Sequence, residues 1–175
     1  MTGAWGKDNN IGLGCEHLRD GDAVAVDGGA VAGEGVDEVE TIRGFYRDMV
    51  LVRRLDTEAT ALQRHGELGI WAQLLGQEAA QVGATASLRK TDWLFPQYRE
   101  LGAFLTRGIS PAQMGAVWRG SWHGGLSFTE RCCAPISIQI GTHGLHAVGA
   151  AMAAQRLDED SVTVAFMGDG ATSEG

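Results

Sequence analysis

Asp169 stands between two glycines at the end of a short apolar run, in the stretch VTVAFMGDGATSEG at residues 162–175. Val162, Val164, Ala165, Phe166 and Met167 read as a buried strand, because a brief run rich in β-branched residues and closed by turn signals suits a core strand. Gly168 and Gly170 let the backbone turn and leave no Cβ between it and a ligand. The carboxylate of Asp169 then falls at the strand's C-terminal end, where open α/β sheets bind their ligands. Ala171, Thr172 and Ser173 are expected to open a helix whose free N–H groups favour an anion. A carboxylate for a divalent cation beside N–H donors for phosphate suits a metal-bound diphosphate.

Other polar residues compete for a chemical role. Tyr98 and Arg99 are adjacent; by themselves they read as a half-buried aromatic and a solvated helix charge. His123, His143 and His146 together with Cys132 and Cys133 invite a zinc reading. Zinc motifs space their cysteines by two to four residues, which the adjacent pair does not do. Asp20 and Asp22, taken with Gly168-Asp169-Gly170 and Glu174, have the look of a haloacid-dehalogenase-type phosphatase. Its nucleophile loop should follow a buried apolar strand, and here the polar EHLR precedes it.

The elements that position these groups are mostly helical. Residues 1–39 are rich in Gly, Asp and Ala with little periodicity, and read as a flexible leader. Residues 41–65 form the clearest helix, with Ile42, Phe45, Met49, Val52, Leu55, Ala59 and Leu62 at helical spacing and Gly66 as a stop. A helix of small residues is expected over 76–88. Residues 91–96 form a turn or short strand, and 99–107 are helical up to Gly108. Ser110 and Pro111 then cap and start a helix running to about Arg119. Residues 120–141 read as a long loop, of a length that tends to be functional or disordered. Residues 144–156 are a helix of almost only small side chains, suited to close packing on a sheet or another subunit. Few strands remain for a parallel sheet, so part of such a fold is expected outside this sequence.

The 175 residues carry a net charge of −8 and are 44% hydrophobic, which fits one α/β domain with a real core. The acidic balance argues against nucleic acid. No polybasic run serves a membrane surface, no apolar stretch approaches a spanning helix, and no secretory signal opens the sequence. Three cysteines make a disulfide framework unexpected. The expected compartment is cytoplasmic.

Six motifs, in order, now carry a family resemblance. They are MVLVRRLD, GELGIWAQLLGQEAAQVGA, WLFPQYRELGAFLTRG, WHGGLSF, IGTHGLHAVGAAMAAQ and MGDGATSEG. A lone Gly-Asp-Gly is common, but this order and spacing is not. The chain resembles, over residues 41–175, the alpha subunit of the thiamine-diphosphate-dependent decarboxylating component of 2-oxo acid dehydrogenase complexes, of pyruvate or branched-chain type.

That resemblance implies an α/β thiamine-diphosphate-binding fold, a parallel sheet flanked by helices behind an N-terminal helical region. It implies a dehydrogenase domain over 40–175 that stops after the Gly-Asp-Gly turn, an N-terminal part of a longer subunit. The implied cofactors are thiamine diphosphate and Mg²⁺. Tyr98 and Arg99 would reach the diphosphate; Asp169 would hold Mg²⁺; Gly170 and Ala171 would offer backbone groups. Ile138 and Ile140 match positions whose main chain meets the aminopyrimidine. Ser137, Gln139, Thr142 and His143 overlay a monovalent-cation loop, and Ile70 and Trp71 an apolar wall of the 2-oxo acid pocket. The implied partners are a beta subunit, in an alpha2beta2 heterotetramer, and the lipoyl acyltransferase that takes the acyl group. Downstream metal ligands and acyl-transfer histidines of the family lie beyond Gly175, so the 175 residues alone are expected neither to hold the cofactor tightly nor to turn over; the alternative reading of them is a non-catalytic module that only docks on the beta subunit.

Overall fold

The computed structural model describes residues 37–121 and 127–174. The expected leader up to residue 36, with Asp20 and Asp22, lies outside the described residues, as does His123. Helix α1 runs Glu38–Arg64. It starts earlier than periodicity alone suggested, because the Asp37 side chain accepts from Val39 N at 3.0 Å. That cap and the acidic Glu38 and Glu40 suit the positive end of the helix, and Arg64 suits the negative end. Helices α2 (Glu78–Ala86), α3 (Leu101–Thr106) and α4 (Pro111–Trp118) follow. Ser110 and Gln113 close a capping box on α4. Helix α5 spans Thr142–Leu157, entered through Gly141 at φ +85°.

Strands β1 (Trp93–Phe95) and β2 (Thr163–Ala165) pair in parallel, Leu94 opposite Val164. Leu94 also bridges Cys133 in parallel. Alternation along β1 divides the core into two layers. Leu94 points into a cluster with Val52, Val82, Leu101 and Phe104 from α1, α2 and α3. Trp93 and Phe95 point the other way, onto Cys132 and Ala147 of α5. Helices thus cover both faces of a small parallel sheet, as an α/β layering requires. Gly102 makes the first layer tight: a Cβ there would stand 2.9 Å from Gln81 Oε1 and 3.3 Å from Val52 Cγ2.

Two expectations change. The run at 162–167 is a shorter strand than its hydrophobicity suggested and is only partly buried, with Val162 and Met167 each 51% exposed. β2 has β1 alone as a strand neighbour among the described residues, so its apolar side chains are not enclosed. Second, Asp169–Ser173 is a 3₁₀ turn and not the first turn of an α-helix.

Asp92 sets the register of the pair. Its buried carboxylate accepts from Val162 N at 2.9 Å and from Arg89 N at 2.7 Å. Burial alone would raise its pKa; the hydrogen bonds from Arg89 and from the Val162 and Arg89 backbone outweigh that and hold it below the usual carboxylate range. Buried Arg107 donates to the carbonyls of Arg89, Lys90 and Asp92 at 2.9, 3.1 and 2.8 Å, closing the same corner. Cys133 is a free thiol whose burial pushes its pKa up to about 12. Among the described residues no helix is long and apolar enough to cross a membrane.

Candidate functional site

Parallel pairing sends both chemical motifs to one edge of the sheet. Past Phe95, β1 continues into Gln97, Tyr98 and Arg99. Past Ala165, β2 continues into Gly168, Asp169 and Gly170. Strands that run the same way release their following loops at the same end, which is why residues so far apart in sequence meet here. The loops enclose a cleft of about 570 Å³ lined by Tyr98, Arg99, Ile140, Asp169, Gly170 and Ala171, with Gln77, Gln81, Gln97, Glu100, Phe166 and Met167 among the remaining walls.

Six of the sequence candidates therefore share one cleft. Asp169 is exposed, and a Cβ on Gly168 or Gly170 would meet nothing within 4 Å, so both glycines face open space. The Arg99 guanidinium lies 5.5 Å from the centroid of the Tyr98 ring, a cation–π arrangement, and its Nη1 donates to the Gln73 carbonyl. Arg99 thereby forms a wall common to this cleft and to a second one of about 450 Å³ lined by Thr60, Gln63, Arg64, Trp71, Ala72 and Gln73.

The remaining candidates separate. Ile138 is 52% exposed and is not part of the cleft lining. Ile70 is 56% exposed, whereas Trp71 is 8% exposed and donates Nε1–H to Asp56 at 2.9 Å. Trp71 lines the second cleft, together with Ala72 and polar side chains, and Ile70 is not part of that lining. Ser137 donates to the Gln139 carbonyl at 3.1 Å, while His143 is buried against β2 and His146 is exposed. No group of three or more His, Cys, Asp or Glu able to hold a metal occurs among the described residues, which do not include His123.

Three buried polar residues position the site and were not singled out in the sequence. Gln81, 1% exposed, donates to the Arg99 carbonyl at 3.1 Å and accepts from Gly102 N at 2.9 Å. It holds the backbone of the Tyr98-Arg99 turn to α2. Glu100 accepts from Gln97 N at 2.8 Å inside the same turn. Burial pushes its pKa up, opposed by backbone N–H groups of Gln97, Arg99 and Glu100 and by the nearby His143. Asp56 accepts from Trp71 Nε1 and, at 3.1 Å, from Leu74 N, and so fixes the loop that carries the Gln73 carbonyl. A polar residue on the inward stripe of an amphipathic helix was the available signal for Asp56 and Gln81.

Residues 46–175 match the family model of the dehydrogenase E1 component, and the chain belongs to that family. It is 71% identical over 136 residues to the 3-methyl-2-oxobutanoate dehydrogenase subunit alpha of Mycobacterium tuberculosis strain H37Rv, covering 78% of this chain and 37% of that protein. It is 36% identical to the pyruvate dehydrogenase E1 component subunit alpha of Acholeplasma laidlawii, covering 78% and 39% respectively. The 2-oxoisovalerate dehydrogenase subunit alpha, mitochondrial, of Mus musculus is 32% identical over 148 residues. The chain spans well under half the length of these curated relatives.

Proposed function

We propose that this chain is part of the alpha subunit of a thiamine-diphosphate-dependent 2-oxo acid dehydrogenase, and that a branched-chain 2-oxo acid such as 3-methyl-2-oxobutanoate is its substrate. The observation that carries this reading is the single cleft joining Tyr98 and Arg99 to Asp169, Gly170 and Ala171 at the C-terminal edge of the parallel pair. The 71% identity to an alpha subunit named for 3-methyl-2-oxobutanoate favours the branched-chain substrate over pyruvate.

The residues present fit a Mg²⁺-bound diphosphate. An exposed carboxylate faces a cleft across from a guanidinium and a phenol, and the glycines beside it leave open space for a ligand's approach. Asp169 would hold Mg²⁺; Arg99 and Tyr98 would bind phosphate oxygens, and Gly170 and Ala171 would offer backbone groups. Ile140, in the cleft wall, would present main chain to the aminopyrimidine, and so would Ile138, two residues before it, although its own position lies outside the cleft lining. Bound thiamine diphosphate supplies an electron sink for decarboxylation, which no side chain here can provide. One carboxylate fills one position of a near-octahedral Mg²⁺ shell, so diphosphate oxygens, water and further protein oxygens would fill the rest.

On this reading residues 40–175 belong to a thiamine-diphosphate-binding domain behind a leader at 1–39. The partners are a beta subunit, in an alpha2beta2 heterotetramer, and the lipoyl acyltransferase of the complex, in the cytoplasm. The test is decarboxylation by the full-length gene product assembled with its beta subunit. CO₂ release from 3-methyl-2-oxobutanoate that requires thiamine diphosphate and Mg²⁺ is the expected result. Turnover of pyruvate alone would remove the substrate assignment, and turnover independent of the cofactor would remove the whole reading.

A further inference from the structure

We propose that His143 is a positioning residue, which holds the Asp169 turn in place through a hydrogen bond from its imidazole to the end of β2. The ring is 2% exposed and sits at the first turn of α5. Its Nε2 meets the backbone carbonyl of Phe166, the residue that leads out of β2 toward Gly168 and Asp169. A carbonyl oxygen only accepts, so Nε2 carries a proton and donates it to Phe166. Nδ1 is buried without a hydrogen-bond partner among the described residues. Burying that nitrogen unsatisfied opposes the fold, so the imidazole is a poor choice for packing alone.

The contacts around it point the same way. Gly141 and Gly144 flank His143 and let the start of α5 lie directly on the segment 167–174. A Cβ at Gly144 would stand 3.3 Å from Met167 Cε; one at Gly141 would stand 3.2 Å from the Ala171 carbonyl and 3.5 Å from Glu174 Cβ. Gly141 at φ +85° is also in the left-handed region that favours glycine. The corner Gly141-Thr142-His143-Gly144 thus grips the turn from both sides of Asp169, with His143 giving the directional contact. Asp169 is itself exposed, and its turn is a short 3₁₀ segment. The α5 corner therefore fixes where its carboxylate stands.

The role of the turn in cofactor binding rests on the function proposed above; the clamp itself does not. The first measurement uses ¹⁵N-histidine-labelled protein without cofactor. His143 is expected with Nε2 protonated, and a ring protonated at Nδ1 alone would overturn the clamp. The second compares His143→Leu, which keeps bulk and removes the donor, with His143→Gln, which keeps an N–H. In cofactor-free protein, His143→Leu should raise deuterium exchange at 167–171 by at least about fivefold, the effect of one buried hydrogen bond, and His143→Gln should restore most of the protection. Unchanged exchange in a folded His143→Leu variant would refute the proposal. In the holoenzyme, His143→Leu should raise the Kd of thiamine diphosphate by at least about fivefold, with kcat at saturating cofactor much less affected. If exchange rises but the parent protein binds no thiamine diphosphate, the clamp stands and the functional reading falls.

Discussion

At the residue scale the site depends on very few atoms. Asp169→Ala removes an exposed carboxylate, so stability should change by no more than about 0.5 kcal/mol. On the proposed reading, Mg²⁺-dependent binding of thiamine diphosphate by the assembled enzyme should weaken by about 100-fold or more, ~2.8 kcal/mol. Calorimetry with and without Mg²⁺ checks this, and unchanged affinity would remove Asp169 as a metal ligand. Glu78 gives a prediction of a different kind. Its carboxylate accepts from Arg53 Nε and, at 3.0 Å, from Gly76 N. The Arg53 hydrogen bond, against the cost of burial, lowers its pKa from the ordinary 4.5 to about 2. A carboxylate with a depressed folded pKa stabilises the fold above its unfolded pKa, and this contribution is lost as pH falls through the folded value. Glu78 should therefore add an acid-labile component to stability between about pH 4.5 and about pH 2. Thermal melts of Glu78→Gln across that range should show a shallower pH dependence than the parent; parallel curves would exclude Glu78 as the source.

At the scale of elements, caps and close approaches decide where the helices begin and how they meet. The Ser110 hydroxyl accepts from Gln113 N at 3.3 Å, and Ser110 N donates to Gln113 Oε1 at 3.0 Å. Ser110→Ala should cost about 1 kcal/mol, read by urea denaturation, and leave cofactor binding unchanged because α4 does not line the cleft. Gly102→Ala is the opposite case. Its new Cβ would collide with Gln81 Oε1, the same atom that accepts from Gly102 N. Displacing Gln81 also releases the Arg99 carbonyl. A loss of about 1–3 kcal/mol is expected, accompanied by weaker cofactor binding. A destabilised Gly102→Ala protein with parent-like affinity would show that Gln81 does not position Arg99.

At the scale of the whole molecule, the two halves of the cleft come from loops that meet only because β1 and β2 lie side by side. Asp92 ties the starts of both strands across a separation of 70 residues. Asp92→Ala leaves Val162 N and the Arg89 side chain without their shared acceptor, and should cost about 2–4 kcal/mol while weakening the cofactor without touching it. Equilibrium unfolding together with cofactor titration distinguishes this from a purely local loss. The described residues hold a single exposed carboxylate in the cleft, so the 175-residue chain by itself should bind thiamine diphosphate more weakly than about micromolar even with Mg²⁺. Micromolar binding in calorimetry would show that no further ligands are needed.

What the amino-acid sequence determined by itself was local. Helical spacing marked α1, Ser110 and Pro111 marked the start of α4, and an apolar run ending in Gly-Asp-Gly placed Asp169 after a strand, because period, cap and turn chemistry act between near neighbours. The order of motifs then carried the family. Pairing was a tertiary outcome. That Tyr98, Arg99, Ile140 and Asp169 share one cleft, that Ile138 and Ile70 stay outside it, and that β2 is half open all depend on contacts between distant segments. So do the roles of Asp56, Gln81, Glu100 and His143, whose partners lie on other elements and whose worth comes from burial. A residue's type shows which bonds it can make, but only the packed chain decides which partner is within reach once water has been excluded.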